Sequence, residues 1–303
     1  MQWWKYLLIG VPLLSVIVYL GLPRLLHALG VHPSYDIPPF DLRGKRALII
    51  TTSHDTLGET GKATGVFGSE MTVPYYAFLD AGMEVDLASI QGGEIPIDPR
   101  SGWPLTTPED RRFEKDPVAM AKLRNSIPIS QIDPTKYDVY FMAGGWGASY
   151  DLAQSDELAD VITAANANGK ILGSVCHGAL GLVNAKAEDG SPLVKGRNVT
   201  GVTDQQIKEL GIRVTPKHPE TELRKVGANF ESQSAFKDVL ATHVVVDGNI
   251  VTGQNQNSGY ETSYRILELL AERSTARDSR CGYAVADLDA WPLAAAMSYA
   301  ALG

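Results

Sequence analysis

The feature that most constrains the fold of this chain is an alternation of strand-like and helix-like segments between residues 46 and 272. The apolar, β-branched runs that predict buried strands are RALIITT (46–52), MEVDLAS (83–89), DVYFMAGG (138–145) and KILGSV (170–175). The segments with helical spacing are 69–81, 155–168 and 258–272. Because strands that alternate with helices form right-handed βαβ units, the pattern predicts an α/β domain with a mostly parallel central sheet, covered on both faces.

Two further segments modify this scheme. HVVVDGNIVTG (243–253) predicts a hairpin whose turn is Asp247-Gly248-Asn249. Residues 92–136 are rich in proline and polar residues, and we interpret them as an insertion rather than a separate domain. The predicted organisation is therefore a single domain at 45–273, followed by a tail at 274–303 for which the sequence predicts no role.

The N-terminal segment differs from the rest of the chain. The run from Tyr6 to Pro23 carries no charge and has about the minimum length for a helix that spans a bilayer. Aromatic residues near its ends suit the two membrane interfaces. We interpret residues 1–27 as an uncleaved single-pass anchor in a membrane, of the bacterial cell-membrane type, and residues 28–44 as a proline-containing linker to the domain.

Two other interpretations of this apolar run remain open. A cleaved signal peptide is one, although no A-x-A-like cleavage site follows the run. A buried core helix is the other. The flanking charges do not fix an orientation, because Lys5 favours a cytoplasmic N-terminus whereas Arg24 and the basic residues after it favour the reverse.

Charge and cysteine content exclude several classes of protein. The formal net charge of −8 argues against a nucleic-acid surface, which requires a basic face. Two cysteines, Cys176 and Cys281, are too few for a disulfide scaffold or a cysteine-rich zinc site. A metal site made by His54, Glu70 and His177 is conceivable, but no ligand spacing supports it. We expect no metal and no cofactor.

The segment Gly173–Gly178 carries the strongest chemical signal. A predicted strand runs directly into Cys176, and His177, Gly178 and a helix-like segment follow. This is the plan of a nucleophile elbow, in which a sharp turn lifts the nucleophile above the carboxyl edge of the sheet. A helix N-terminus behind the sulfur is expected to lower the thiol pKa. The backbone N–H groups of His177 and of Gly145, in the glycine-rich loop 144–147, are predicted to form an oxyanion hole.

A free cysteine is more often a small buried core residue than a nucleophile. Two observations favour the nucleophile here. Cys176 stands at a strand-to-helix junction with His177 next to it, and a second predicted strand ends in Gly144-Gly145-Trp146-Gly147. Ligand sites of open α/β sheets lie outside the carboxyl ends of such strands.

These segments resemble the DJ-1/PfpI superfamily, and within it the Hsp31-like, glyoxalase III-like branch. The matching segments are 60–101, 137–152, 169–185, 189–204 and 243–258, which together span most of the chain between the linker and residue 272. The resemblance implies a flavodoxin-like fold in which a protonated glutamate from the first helix of the domain hydrogen-bonds the cysteine sulfur. Glu70 occupies that position. A glutamate that only serves the dipole of its helix is the alternative.

The resemblance also implies a Cys-His-acid triad, and here the chain departs from the family pattern. His177 takes the histidine position, but a partly exposed residue at the start of its helix is the alternative interpretation. Where the family has a pair of acidic residues, this chain has Gln206 and Ile207. Asp204 is the nearest acidic residue, and we expect it to cap the following helix rather than complete a triad.

The resemblance implies a glutathione-independent glyoxalase that acts on small α-oxoaldehydes such as methylglyoxal, or a related deglycase. Cys176 would be the nucleophile and Glu70 the acid and base. A non-enzymatic holdase or redox sensor that uses the oxidisable Cys176 is the alternative from another class. Amidotransferase-like or peptidase activity has weaker support, because it relies on a complete triad. The expected partners are the aldehyde, the membrane and a second copy of the chain in a homodimer.

Overall fold

The computed structural model describes the backbone of residues 3–286 and the side chains of residues 11–275. The strands are β1 Arg46–Thr51, β2 Glu84–Ser89, β3 Ile127–Pro128, β4 Val139–Met142, β5 Ile171–Val175, β6 Asn198–Val199, β7 Asn229–Phe230, β8 Val244–Asp247 and β9 Ile250–Gly253. The α-helices are α1 Trp3–Ala28, α2 Gly68–Asp80, α3 Pro108–Phe113, α4 Pro117–Arg124, α5 Ala148–Asp151, α6 Asp156–Ala167, α7 Asp204–Leu210, α8 Pro219–Lys225 and α9 Gly259–Ala286.

The main sheet has seven strands in the order β3-β2-β1-β4-β5-β9-β8. Every pairing in it is parallel except that of β8 with β9, the predicted hairpin. The predicted mostly parallel α/β sheet of flavodoxin-like type is therefore confirmed. Gly248 has a φ of 59° at the hairpin turn, a backbone conformation that glycine adopts without a steric penalty.

Both faces of the sheet are covered because successive residues of each buried strand point to opposite sides. In β1, Ala47 and Ile49 belong to one hydrophobic layer, with helices α2 and α9. Leu48 and Ile50 belong to the other layer, with α6. This alternation inside a continuous apolar run explains why β1 is buried on both faces.

The insertion at 92–136 is part of the domain. It forms α3, α4 and the edge strand β3, which pairs in parallel with β2 through Ile127 and Ala88. Phe113 and Leu123 from this segment lie in the hydrophobic core. The predicted insertion thus also extends the sheet.

The N-terminal helix α1 is long and apolar enough to cross a membrane by length and composition. Its segment Val11–Ala28 has a mean hydropathy of 1.6 and none of it is buried by the rest of the protein. The following linker is docked on the domain, because the Asn257 side chain accepts from the His32 N–H at 2.8 Å and donates to the Gly30 carbonyl at 2.8 Å. Leu42, at the end of the linker, lies in the core.

The last described helix runs across the predicted C-terminal boundary of the domain. Helix α9 continues to Ala286, past the expected end of the domain at residue 273. The apolar patch of the predicted tail, at 290–302, lies outside the described residues.

Candidate active site

The turn after β5 places Cys176 at the carboxyl edge of the sheet. Strand β5 lies beside β4 in parallel, with Ser174 opposite Met142, so both strands end at the same edge. Cys176 has a φ of 58°, a left-handed conformation that is costly for a residue with a Cβ atom. Such strain in a non-glycine residue is typical of a functional turn, and it fits the predicted nucleophile elbow. The segment behind it, Cys176–Leu182, is a 3₁₀ helix rather than the expected α-helix.

Two glycines allow the backbones to approach at this turn. A Cβ atom on Gly178 would lie 2.0 Å from the Met142 carbonyl oxygen, closer than any real contact. A Cβ atom on Gly144 would lie 2.5 Å from Glu70 Oε2 and 2.7 Å from the His177 nitrogen. The loop after β4 is therefore packed directly against the elbow, with no space for a larger residue.

Glu70 lies in the first turn of α2, and its side chain is 2% exposed. The start of α2 is tied to the sheet because the Phe67 N–H donates to the Gly144 carbonyl at 3.2 Å. Burial raises the pKa of Glu70 to about 8, while hydrogen bonds with Cys176 and with the Gly144 backbone act in the opposite direction. Glu70 is thus a neutral carboxylic acid at neutral pH that lies beside the sulfur, and its Oε2 has no hydrogen-bond partner among the described residues.

Cys176 is 7% exposed. Burial raises the pKa of its thiol, and the nearby charge of an ionised Glu70 raises it further. The expected lowering of this pKa by a helix N-terminus is wrong in direction, because burial outweighs the effect of a short 3₁₀ turn. When Glu70 carries its proton, it no longer raises the pKa of the Cys176 thiol through its charge. A neutral acid donates a hydrogen bond to sulfur instead of repelling a thiolate.

The backbone N–H groups of His177 and Gly145 lie near the sulfur and favour its ionised form. They are the two groups that the sequence predicted for an oxyanion hole. Gly145 has a φ of 104°, and a Cβ atom there would lie 2.4 Å from the Phe67 nitrogen. Glycine is therefore required at this position for the loop to reach the sulfur.

His177 has a buried side chain, which is 1% exposed, so the alternative interpretation as a partly exposed residue at the start of its helix is wrong. The left-handed turn at Cys176 brings His177 Nδ1 within 3.4 Å of Sγ. The other ring nitrogen, Nε2, has no hydrogen-bond partner among the described residues. Burial lowers the pKa of His177 to about 3, and the nearby His218 contributes in the same direction. The imidazole is therefore neutral.

Asp204 does not contact His177. Its Oδ1 lies 3.5 Å from Nδ1 of His218, and its Oδ2 accepts from the Thr221 hydroxyl at 2.7 Å. The expected N-cap role is also wrong, since Thr203 caps α7 in a capping box with Gln206 and Asp204 is the first residue of the helix. The Gln206 side chain is occupied by this cap.

Two neighbours of the site were not predicted from the sequence. The Trp146 ring lies 4.8 Å from the His177 ring, centroid to centroid, and covers it. The buried Asp98 adds to the raised pKa of Glu70 through its negative charge and is paired with Arg100 at 2.7 Å. Both residues lie in segments that carry the family resemblance, and this is the sequence feature from which they could have been identified as neighbours of the site. Within the described residues, no three His, Cys, Asp or Glu side chains are grouped to hold a metal ion.

The fold and the site define a class of α/β protein in which a buried cysteine at a nucleophile elbow contacts a neutral carboxylic acid. The profile of the DJ-1/PfpI family matches residues 62–269. The chain belongs to this family.

Relatives of the chain include proteins named for glyoxalase activity. "Glyoxalase 3" of Candida albicans is 29% identical over 237 residues, which cover 74% of this chain and 97% of the relative. "Glutathione-independent glyoxalase hsp3102" of Schizosaccharomyces pombe is 31% identical, with 75% of this chain and 98% of the relative covered.

Solved structures show the same fold. The Francisella tularensis Rapid Encystment Protein 24 kDa has a TM-score of 0.70 and 31% identity, over 74% of this chain and 98% of that chain. The crystal structure of glyoxalase III from Candida albicans has a TM-score of 0.64 and 28% identity, over 74% of this chain and 96% of that chain.

Proposed function

We propose that this protein is a glutathione-independent glyoxalase of the glyoxalase III type, which converts methylglyoxal or a similar small α-oxoaldehyde to a 2-hydroxy acid. The observation that carries the proposal is the contact of the Cys176 sulfur with a neutral, buried Glu70, beside the N–H groups of Gly145 and His177. The names of the relatives support the same activity.

The reactive form carries a thiolate on Cys176 and a proton on Glu70. Because burial raises the pKa of the thiol, this form is a minor fraction at neutral pH and arises when the thiol loses its proton to solvent. Sulfur attacks the aldehyde carbon, a carbon–sulfur bond forms, and Glu70 transfers its proton to the aldehyde oxygen to give a hemithioacetal. The Gly145 and His177 N–H groups stabilise the negative charge that develops on this oxygen.

Glu70 is then a carboxylate, and it can act as a base. It removes the proton from the former aldehyde carbon, which gives an enediolate, and returns that proton to the neighbouring carbon. The hydroxyl proton of the hemithioacetal moves to the oxygen of that neighbouring carbon. The product is a thioester of the 2-hydroxy acid on Cys176. Water hydrolyses this thioester, so that the net reaction adds one water to the oxoaldehyde and neither oxidant nor reductant is required.

His177 contributes mainly through its backbone N–H group. Its neutral Nδ1 lies 3.4 Å from the sulfur, but burial disfavours the imidazolium, and Nε2 has no carboxylate partner among the described residues. A histidine without such a partner is a weak base, which argues against amidotransferase-like or peptidase chemistry.

The test is conversion of methylglyoxal to lactate by the full-length chain in detergent, without glutathione. We expect turnover in the wild type and none in Cys176→Ala. If the wild type shows no turnover while mild peroxide readily oxidises Cys176, a redox sensor replaces the enzyme.

We also propose that α1 anchors the protein in a membrane as a single span. The exposed apolar segment Val11–Ala28 supports this proposal. The full-length chain should remain with membranes after extraction at high salt and alkaline pH. Recovery of a soluble chain cleaved after residue 23 would identify a signal peptide instead.

A further inference from the structure

A cavity of about 490 Å³ lies where the C-terminal end of α1 and the linker meet the loop before α3. We call it the linker cavity. The side chains that give it its polarity are Arg24, His27, His32, Thr106, Arg111 and Tyr260. It is separate from the cysteine site, since none of Cys176, Glu70 and His177 lines it.

The linker cavity has a positive lining in an acidic protein. Its positive charge comes from Arg24 and Arg111, and no aspartate or glutamate is found among its lining residues in the described part of the chain. Glu109 is a nearby carboxylate, and it accepts a hydrogen bond from the Tyr260 hydroxyl at 2.5 Å. For a chain with a formal net charge of −8, such a lining indicates a site for an anion.

His32 lies in the wall of the linker cavity, and both its backbone conformation and the surroundings of its ring are unusual. Its φ is 49°, so that His32 and Cys176 are the two non-glycine residues of the described chain with a left-handed backbone. The Asn257 side chain fixes this turn through the His32 N–H. Both nitrogens of the His32 ring are buried. Neither makes a hydrogen bond of normal geometry with the described residues, although the Leu105 backbone lies close enough to the ring to affect its pKa.

Buried polar atoms without partners are uncommon, and a ligand that satisfies them is one explanation. A neutral imidazole offers one N–H donor and one acceptor nitrogen. Burial lowers the pKa of His32 to about 4, so the ring is neutral at pH 7. It can therefore donate to a phosphate oxygen and accept from a hydroxyl of the same ligand.

The position of the cavity suggests the source of this ligand. It lies at the end of the apolar segment Val11–Ala28. The exposed ring of Trp103, in the adjoining loop, stacks on Tyr19 of α1 at 5.6 Å, and its Nε1 donates to the Tyr19 carbonyl at 3.3 Å. Tyr19 lies four residues before the end of the uncharged run Tyr6–Pro23, and aromatic rings near the end of a span are typical of the membrane–water interface.

We infer that the linker cavity binds the headgroup of an anionic phospholipid, with Arg24 and Arg111 on the phosphate and His32 between the phosphate and a headgroup hydroxyl. Phosphatidylglycerol has this chemistry. The inference rests on the proposed anchor and is independent of the proposed glyoxalase activity.

The test uses the full-length chain in dodecyl maltoside micelles, titrated with phosphatidylglycerol or with phosphatidylcholine. Bound lipid is counted by native mass spectrometry, and the unfolding midpoint is measured in parallel. We expect phosphatidylglycerol to bind at least tenfold more tightly than phosphatidylcholine. The double variant Arg24→Gln/Arg111→Gln should lose about tenfold to thirtyfold in affinity for phosphatidylglycerol, since each cation near an anionic surface contributes modestly.

Two further variants test the assignment. His32→Asn should weaken phosphatidylglycerol binding severalfold without disturbing the turn, because asparagine tolerates a left-handed backbone. The matched control is Arg124→Gln, an exposed arginine in the last turn of α4, which should keep wild-type binding. Unfolding midpoints without lipid check that each variant is folded.

Equal affinity for the two lipids, or a double variant that keeps its preference for phosphatidylglycerol, overturns the inference. Glycerol 3-phosphate and inorganic phosphate are tested in the same micelles without added lipid. If either binds as tightly as phosphatidylglycerol, the cavity is a site for a soluble phosphate and the headgroup assignment is wrong. A chain that is cleaved and soluble in cells would contradict the anchor itself, which is a different outcome.

Discussion

The Cys176 sulfur lies 3.4 Å from Nδ1 of His177, although the two residues are neighbours in the chain. In an extended strand, consecutive side chains point to opposite faces and could not meet in this way. The φ of 58° at Cys176 turns the backbone so that both side chains lie on the same side. The elbow therefore places nucleophile and imidazole together, and the same turn brings the His177 N–H near the sulfur.

Glu70→Gln should reduce kcat for methylglyoxal by about a hundredfold to ten-thousandfold, the usual contribution of a general acid and base. Glutamine keeps the size and a hydrogen bond but cannot transfer the proton between the two carbons. The matched control is Glu114→Gln, at an exposed position after α3, which should keep full turnover. A Glu70→Gln protein with wild-type kcat would remove the proton-transfer role.

Turnover of the wild type should rise with pH as the first proton leaves the Cys176–Glu70 pair, and it should fall again as the second proton leaves. The reactive form requires a proton on Glu70, and burial raises the pKa of this carboxyl to about 8. Since Glu70 and Cys176 titrate as a pair, the descending limb reports an apparent pKa of the pair. The measurement is kcat/KM from pH 6 to 9.5, corrected for the uncatalysed reaction. A rate that stays constant up to pH 9.5 would contradict a catalytic proton on Glu70.

Glu70→Gln should also stabilise the fold at alkaline pH. The pKa of Glu70 is about 8 in the folded protein and about 4.5 when exposed, so the folded state binds more protons between these values. The contribution of protonated Glu70 to the free energy of unfolding is fully present below pH 4.5 and is lost as the pH rises through 8. At roughly 1.4 kcal/mol per pKa unit, the variant should gain about 2–4 kcal/mol in the free energy of unfolding at pH 8.

This comparison requires urea denaturation of both proteins at pH 5 and at pH 8. Burial lowers the pKa of His177, so the stability of the fold decreases toward acid pH as this residue becomes protonated. This decrease is the same in both proteins and cancels in the difference between them. If the wild type and Glu70→Gln differ in their free energy of unfolding by the same amount at both pH values, Glu70 is not buried as a neutral acid.

Strands and helices whose pattern lies within their own residues could be predicted from the sequence. Strand β5 and helix α6 begin and end within one residue of the predicted limits, because the apolar runs and the helical spacing reflect burial directly. Serine directly before an acidic first turn is a typical N-cap, and the Ser155 side chain caps α6 by accepting from the Leu158 N–H. The sequence also pointed to Cys176, Glu70 and the Gly145 loop, and the structure brings these three together.

Features that depend on distant residues could not be predicted. The partner of Asp204 is His218, which reaches it through the loop between α7 and α8. The docking of the linker on Asn257 joins residues 225 positions apart. The direction of the Cys176 pKa shift depends on the burial of the sulfur, which the sequence around the residue does not reveal.

Asp204→Asn should change kcat/KM for methylglyoxal by less than about twofold. The carboxylate pairs with His218 and Thr221 at the surface and does not orient His177. Exposed pairs of this kind contribute about 0–1 kcal/mol, so the unfolding midpoint should also change little. A tenfold or larger loss of kcat/KM in this variant would restore Asp204 as the third member of a triad.

Gly144→Ala should disable the site by displacing Glu70. The new methyl carbon would lie 2.5 Å from Glu70 Oε2, 2.7 Å from the His177 nitrogen and 2.8 Å from the Val175 carbonyl oxygen. All three neighbours belong to the site or its backbone, so either Glu70 or the elbow must move. We expect a loss of stability of about 1–3 kcal/mol, as for other overpacked positions, and at least a hundredfold loss of turnover.

The control for this variant is Gly259→Ala, at the start of α9, where the nearest atom to the new carbon is Val73 Cγ1 at 3.9 Å. It should keep full turnover and gain stability slightly, because alanine favours a helix over glycine. Circular dichroism below the unfolding midpoint separates displacement of Glu70 from loss of the fold. A folded Gly144→Ala protein with full turnover would contradict the close contact between Gly144 and Glu70, and with it the position of the proposed acid.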